Sequence, residues 1–164
     1  MPLFMLNLRK TFWKENVYSA HHRWDVDVPV WTNIFAIWNP INSGKIINLL
    51  QIDVGASQIT NFSILSQIVE FSSFGSGDVD LTPDIVKYDK DSPNSIAKIF
   101  RAGSLILGKT IDRRTIGLDN GMPSYNKTFL QEYEILPNSG ICIVHEAESA
   151  SRVYNPWATF TWYE

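Results

Sequence analysis

Short alternating runs divided by turn signals fill most of this chain. Trp24-Asp-Val-Asp-Val-Pro-Val-Trp31 puts Trp24, Val26, Val28 and Val30 on one face of a strand. Pro29 marks that strand as an edge or a bulge, because proline has no N–H for a ladder. Ile34 to Trp38 is a short apolar run closed by Asn39-Pro40, and Asn42-Ser-Gly44 reads as a turn. Lys45 to Val54 predicts a strand with Leu50, Ile52 and Val54 on one face and Gln51 and Asp53 on the other. Phe129 to Ile135 alternates again. Pro137-Asn-Ser-Gly140 is a second turn, followed by the apolar run Ile141 to Val144. Trp157 to Tyr163 predicts a last strand with Ala158, Phe160 and Trp162 on one face.

One segment fits two patterns. Ile64, Leu65, Ile68 and Val69 match a helical stripe, while Phe62 to Phe71 also matches a strand buried on both faces. The strand is preferred, since only glycines follow where a helix cap would stand. Asp80 to Ala97 is rich in loop signals: Thr82-Pro83, Ser92-Pro93 and Asn94-Ser95 interrupt any long element. Turn signals this frequent, between runs this short, predict an all-β antiparallel β-sandwich of jelly-roll type. The sandwich is expected over residues 24–164, with residues 1–23 as a short N-terminal arm or a first strand.

Length and charge refine this picture. A chain of 164 residues makes one ordinary domain. Its charge is unevenly spread. Residues 1–24 carry Arg9, Lys10, Lys14 and Arg23 against Glu15, a net of +3, and the remainder carries 10 basic and 16 acidic side chains, a net of -6. Phe12 and Trp13 sit amid the basic residues, as the candidate partner-contact residues of an arm that docks on a neighbour. The overall charge of -3 argues against direct, sequence-specific nucleic-acid binding, which needs a basic excess. A single cysteine, Cys142, makes no internal disulfide. No apolar stretch approaches the roughly 18 residues of a membrane span, so no membrane partner is expected.

Candidate chemistry is sparse. Gly103-Ser-Leu-Ile-Leu-Gly-Lys-Thr110 matches the phosphate-binding pattern G-x-x-x-x-G-K-[ST] letter for letter. That loop must present backbone N–H groups to phosphate and open a helix. Here an apolar, strand-like filling precedes the lysine, and the turn signals downstream leave no room for the helix. Cys142 and His145 are three apart in a predicted strand, so their side chains point to opposite faces and form no nucleophile–base pair. His21 and His22, being adjacent, diverge for the same reason, and a zinc site needs three or four converging ligands. Asp25, Asp27, Asp78, Asp80, Asp84, Asp89 and Asp91 supply oxygen ligands without calcium-loop spacing. No enzyme activity, cofactor or metal is therefore expected. The Trp and Tyr residues, Trp31 and Trp157 among them, could instead form a stacking platform for sugar, against the commoner role of large aromatics as core.

Several phrases together carry a resemblance. They are Phe35-Ala-Ile-Trp-Asn-Pro-Ile-Asn-Ser-Gly-Lys-Ile-Ile-Asn-Leu-Leu50, Leu81-Thr-Pro83, Ser92-Pro-Asn-Ser-Ile-Ala-Lys98, Ile135-Leu-Pro-Asn-Ser-Gly-Ile-Cys-Ile-Val144 and Ala158-Thr-Phe-Thr-Trp-Tyr-Glu164. Over residues 33–164 the chain resembles small β-sandwich virion proteins of tailed bacteriophages, such as capsid decoration and tail-surface proteins. It departs from them at Pro137-Asn-Ser-Gly140, where the family carries Pro-Gly. The resemblance implies a non-enzymatic structural protein of the virion, made in the host cytoplasm. Its implied partners are itself, as a homotrimer, and other virion proteins, as a capsid decoration or cement protein or a tail component. A carbohydrate- or receptor-binding domain of a phage tail, contacting a host-surface glycan, is the alternative.

Overall fold

The computed structural model describes residues 16–23, 31–57, 63–74, 79–101, 105–117, 124–147 and 155–164. These form strands β1 (Val17–Arg23), β2 (Trp31–Asn39), β3 (Ile47–Ser57), β4 (Ser63–Phe74), β5 (Val79–Asp80), β6 (Val86–Lys87), β7 (Lys98–Arg101), β8 (Leu105–Gly117), β9 (Ser124–Ile135), β10 (Ser139–Ala147) and β11 (Asn155–Tyr163). One 3-10 turn, Thr82–Asp84, interrupts the loop-rich middle. Sheet A has the order β6-β1-β11-β3-β9 and sheet B the order β5-β7-β2-β10-β4-β8.

The long strands pair from the outside inwards. β1 pairs with β11, β2 with β10, β3 with β9 and β4 with β8, all antiparallel. The chain is thus one nested hairpin whose rungs fall alternately into the two sheets. β11 joins β3 in sheet A, and β10 joins β4 in sheet B. This winding is a jelly roll, as the spacing of runs and turns predicts. The ambiguous segment is a strand, β4, and the loop-rich middle is an insertion between β4 and β8. Within residues 1–23, the stretch Val17–Arg23 is β1, seated between β11 and β6, with Val17, Tyr18 and Ala20 buried. Phe12 and Trp13 lie outside the described residues, as do Trp24 to Val30 with Asp25 and Asp27.

Alternation along each strand fills the space between the sheets. Ala158, Phe160 and Trp162 of β11 meet Phe35 and Ile37 of β2, Ile141 and Ile143 of β10, and Ile64 and Ile68 of β4. Phe35 and Phe160 stack across the sheets at 5.0 Å. In β3 the predicted face breaks. Ile52 and Val54 point inward, but Leu50 packs outside with Val17 and Tyr163. Against β11 the register shifts between Thr161, opposite Gln51, and Trp162, opposite Leu49, and Leu50 is the extra residue of this bulge, turned to the other face.

Sheet B is apolar on both sides. Ala36, Trp38, Val69, Phe71, Cys142 and Val144 form an outer layer, with Phe100, Leu105 and Leu107 packed against it. An antiparallel sheet commonly wets one face; here β10 is buried from Gly140 to His145. That explains the unbroken run Ile141 to Val144, which carries no alternation. Gly140 is required by this packing. A Cβ there would lie 2.5 Å from the Ile37 carbonyl oxygen and from the Phe71 ring.

Two polar side chains tie the ends of the sandwich together. Asn39, fully buried, donates through Nδ2 to the carbonyl oxygens of Lys45 (2.9 Å) and Ile135 (2.8 Å). Its backbone carbonyl oxygen accepts from the Asn138 N–H at 2.8 Å. The β2–β3 and β9–β10 turns are thereby fixed side by side, each turned by a left-handed residue, Gly44 (φ 66°) and Asn138 (φ 64°). Glu164 holds the insertion: its carboxylate accepts from Ser95 Oγ, from the N–H groups of Ile96 (2.9 Å) and Ala97 (3.4 Å), and from Trp162 Nε1 (3.0 Å). Tyr18 adds a hydroxyl bond to the Pro93 carbonyl oxygen at 2.9 Å.

Gly140→Ala should cost about 3 kcal/mol, because both obstructing groups belong to packed backbone and core. A urea melt checks this; a loss under about 0.5 kcal/mol would mean that β2 and Phe71 yield freely.

Candidate binding surfaces

The outer face of sheet A is the polar counterpart of sheet B. Ladder register places its side chains in rows across four strands. Arg23, Trp157, Gly55 and Ser124 form the first row, His21, Thr159, Asp53 and Asn126 the second, and Ser19, Thr161, Gln51 and Thr128 the third. Val86 of β6 extends the third row at the sheet edge. Trp157 stands directly opposite Gly55, and its indole fills the space a Cβ would take, with Cε2 and Cζ2 each 2.4 Å from that position. A glycine covered by a cross-strand aromatic is a stable pairing that no larger residue at 55 allows. His21 flanks the indole, ring centroids 6.1 Å apart.

The polar side chains of this face hold one another in place. His21 Nδ1 lies 2.8 Å from Thr159 Oγ1. The Asp53 carboxylate accepts from Gln51 Nε2 (2.8 Å) on one oxygen and from Asn126 Nδ2 on the other. Thr128 donates to Asn126 Oδ1 at 2.7 Å. Each carboxylate oxygen and each amide keeps unused hydrogen-bonding capacity. The face therefore offers oriented donors and acceptors around one indole.

Clefts lie elsewhere among the described residues. One, of about 300 Å³, opens beside the β9–β10 turn and is lined by Glu70, Tyr133, Leu136 and Gly140 among others. The Tyr133 hydroxyl donates to Glu70 there, and burial pushes its pKa above the usual phenol range. Another, of about 430 Å³, is built by the insertion and lined by Asp80, Thr82, Lys87, Asn94 and Lys98 among others. Lys87 Nζ is engaged by the Ser92 carbonyl oxygen at 2.9 Å. Hydrogen bonds from the Thr82 side chain and backbone hold the Asp80 carboxyl below its ordinary pKa.

The other chemical candidates are taken up by the fold. Gly108, Lys109 and Thr110 lie within β8, where Thr110 stands opposite Val69. Backbone committed to a ladder cannot cradle phosphate, and no helix follows. Cys142 is buried in the outer layer of sheet B. His145 stands opposite Ser66, whose hydroxyl lies 3.1 Å from the Tyr125 hydroxyl at the inner core. The two groups are thus on opposite sides of β10, as odd spacing requires. Burial pushes the Tyr125 pKa up to about 12. Asp80 and Asp89 accept from the N–H groups of Thr82 (2.8 Å) and Asp91 (3.0 Å), which makes them turn-formers. Among the described residues no three His, Cys, Asp or Glu side chains converge to hold a metal. Asp78 and Gly103 lie outside those residues, and of Trp31 only the backbone is described.

Sequence alternation puts Trp157 on the strand face opposite Ala158, Phe160 and Trp162. It could not find the second row, which exists only through the pairing of β1, β11, β3 and β9, strands far apart along the chain.

Burial lowers the His145 pKa to about 3 from an ordinary 6.5. Between those values the unfolded chain binds a proton that the folded chain does not, so stability is full above pH 6.5 and falls as pH drops. The expected slope from this group is at most about 1.4 kcal/mol per pH unit, and His145→Phe should flatten it in melts taken from pH 7 to pH 4. Lys109→Ala, by contrast, should shift stability by less than about 0.5 kcal/mol and leave calorimetry with Mg-ATP silent; saturable heat from the native chain would overturn the reading of β8. No protein-family model, no curated protein and no solved structure matches this chain.

Proposed function

We propose that this protein is a non-enzymatic structural component of a bacteriophage particle, bound to other virion subunits as a capsid decoration or tail component. It works by adhesion between folded surfaces. The jelly roll supports this, being a winding common to capsid and lectin domains. So does the resemblance of the turn and core phrases to those of small virion proteins. The observation that carries the reading is the apolar end of the sandwich. The two turns that Asn39 joins present Ile41, Ile46 and Leu136, exposed by 65%, 39% and 53%, beside the Glu70–Tyr133 cleft. Large aliphatic side chains gathered at one rigid end form a contact surface. Copies of the chain meet there as a homotrimer, and repetition over a shell or tail adds avidity to each weak contact.

Sedimentation of the purified chain should give a trimer, and the chain should bind particles that lack it. Ile41→Asp and Leu136→Asp together should weaken self-association at least tenfold, about 1.4 kcal/mol, with an unchanged thermal melt. A chain that stays monomeric at every concentration and leaves particles bare would sink the proposal.

A further inference from the structure

The outer face of sheet A has no part in the end-on contact just proposed. We propose that it is a carbohydrate-binding site, taking a neutral oligosaccharide across β1, β11, β3 and β9. The three rows span about 14 Å across the strands and about 13 Å along them, a flat area wide enough for an extended ligand.

The chemistry selects the ligand. A pyranose has an apolar C–H face and a rim of hydroxyls. The first matches the indole of Trp157, which is seated over Gly55 and partly exposed. The second matches Asp53 and Asn126, which lie in the next row and are locked in orientation by Gln51 and Thr128. Because these side chains are already ordered, binding does not have to freeze them. His21, exposed and bonded to Thr159, closes the side of the platform opposite Asp53. A protein interface of this area would have an apolar centre depleted of charge; here the three rows on these four strands hold no aliphatic side chain. Nucleic acid is disfavoured because the three rows hold one cation, Arg23, and one anion, Asp53, with no basic excess.

The inference holds whether or not the chain sits on a virion, and the two fail separately. The test is an array of neutral hexose and N-acetylhexosamine oligosaccharides with the purified full chain, followed by calorimetry on the best-scoring sugar. Saturable binding with quenched tryptophan fluorescence is expected. Trp157→Ala should weaken it at least tenfold, and Trp157→Phe should restore part of the loss. Asn126→Ala, on an exposed edge-strand position, should weaken it at least threefold without shifting the melt, so the result does not rest on Trp157 variants alone. Silence across the array, or binding that survives both Trp157→Ala and Asn126→Ala, would overturn the site. Sugar binding by a chain that never joins particles would keep this site and remove the virion role; particle binding with a silent array would do the reverse.

Discussion

Burial of β10 on both faces is the constraint from which the rest of the architecture follows. Its inner side chains, Ile141 and Ile143, lie in the space between the sheets, while Cys142 and Val144 lie in the layer outside sheet B. A strand wrapped in this way has no wet side, so every backbone group must find its partner in the ladder. β2 and β4 supply those partners on either hand. Gly140 follows from the same demand, because only a residue without a side chain lets Phe71 and the Ile37 carbonyl close over the start of the strand. His145, opposite Ser66, is buried with the rest of the strand, and burial at this depth favours its neutral ring.

The two sheets consequently divide the labour. Sheet B gives both faces to packing, and its surface chemistry is confined to edges and turns. Sheet A packs on one side; on the other, three polar rows around the Trp157 indole lie beside the small Val17–Leu50–Tyr163 cluster. The β8–β9 flank joins the sheets through Asp112, which reaches Lys127 at 3.3 Å and Arg114 at 3.4 Å, while Arg114 also lies over the Tyr125 ring. These charges line the side where both sheets end, and charged edges resist pairing with a further strand.

The fold was legible where side chains alternate. Ala158, Phe160 and Trp162 announce their face, and Asn42-Ser-Gly44 and Pro137-Asn-Ser-Gly140 announce their turns. It was obscure where tertiary contact overrides the period. Leu50 changes sides at a bulge that no local pattern marks. Ile64 to Val69 reads equally as helix because both of its faces are buried. The platform was half legible: Trp157 could be picked out, but its neighbours could not. Asp53, Asn126 and His21 become neighbours only when strands from both halves of the chain pair, and nothing local records that pairing. Glu164, which gathers four donors from the insertion and β11, reads in sequence as an ordinary surface carboxylate.

The nested ladder also sets an order in time. Its outermost rung joins β1, with Val17, to β11, with Tyr163, so nearly the whole chain lies between the partners. Loop closure of that span is the most costly in entropy of the four, and pairing this remote belongs to slowly folding all-β topologies. During synthesis β1 emerges first and waits for a partner made last, while β2, β3 and β4 wait in turn for β10, β9 and β8. The innermost rung, β4 with β8, is the first that can close, although the insertion lengthens its loop. Sheet A cannot be completed before the ribosome finishes β11, and until then the apolar side of β1 needs shelter from other chains.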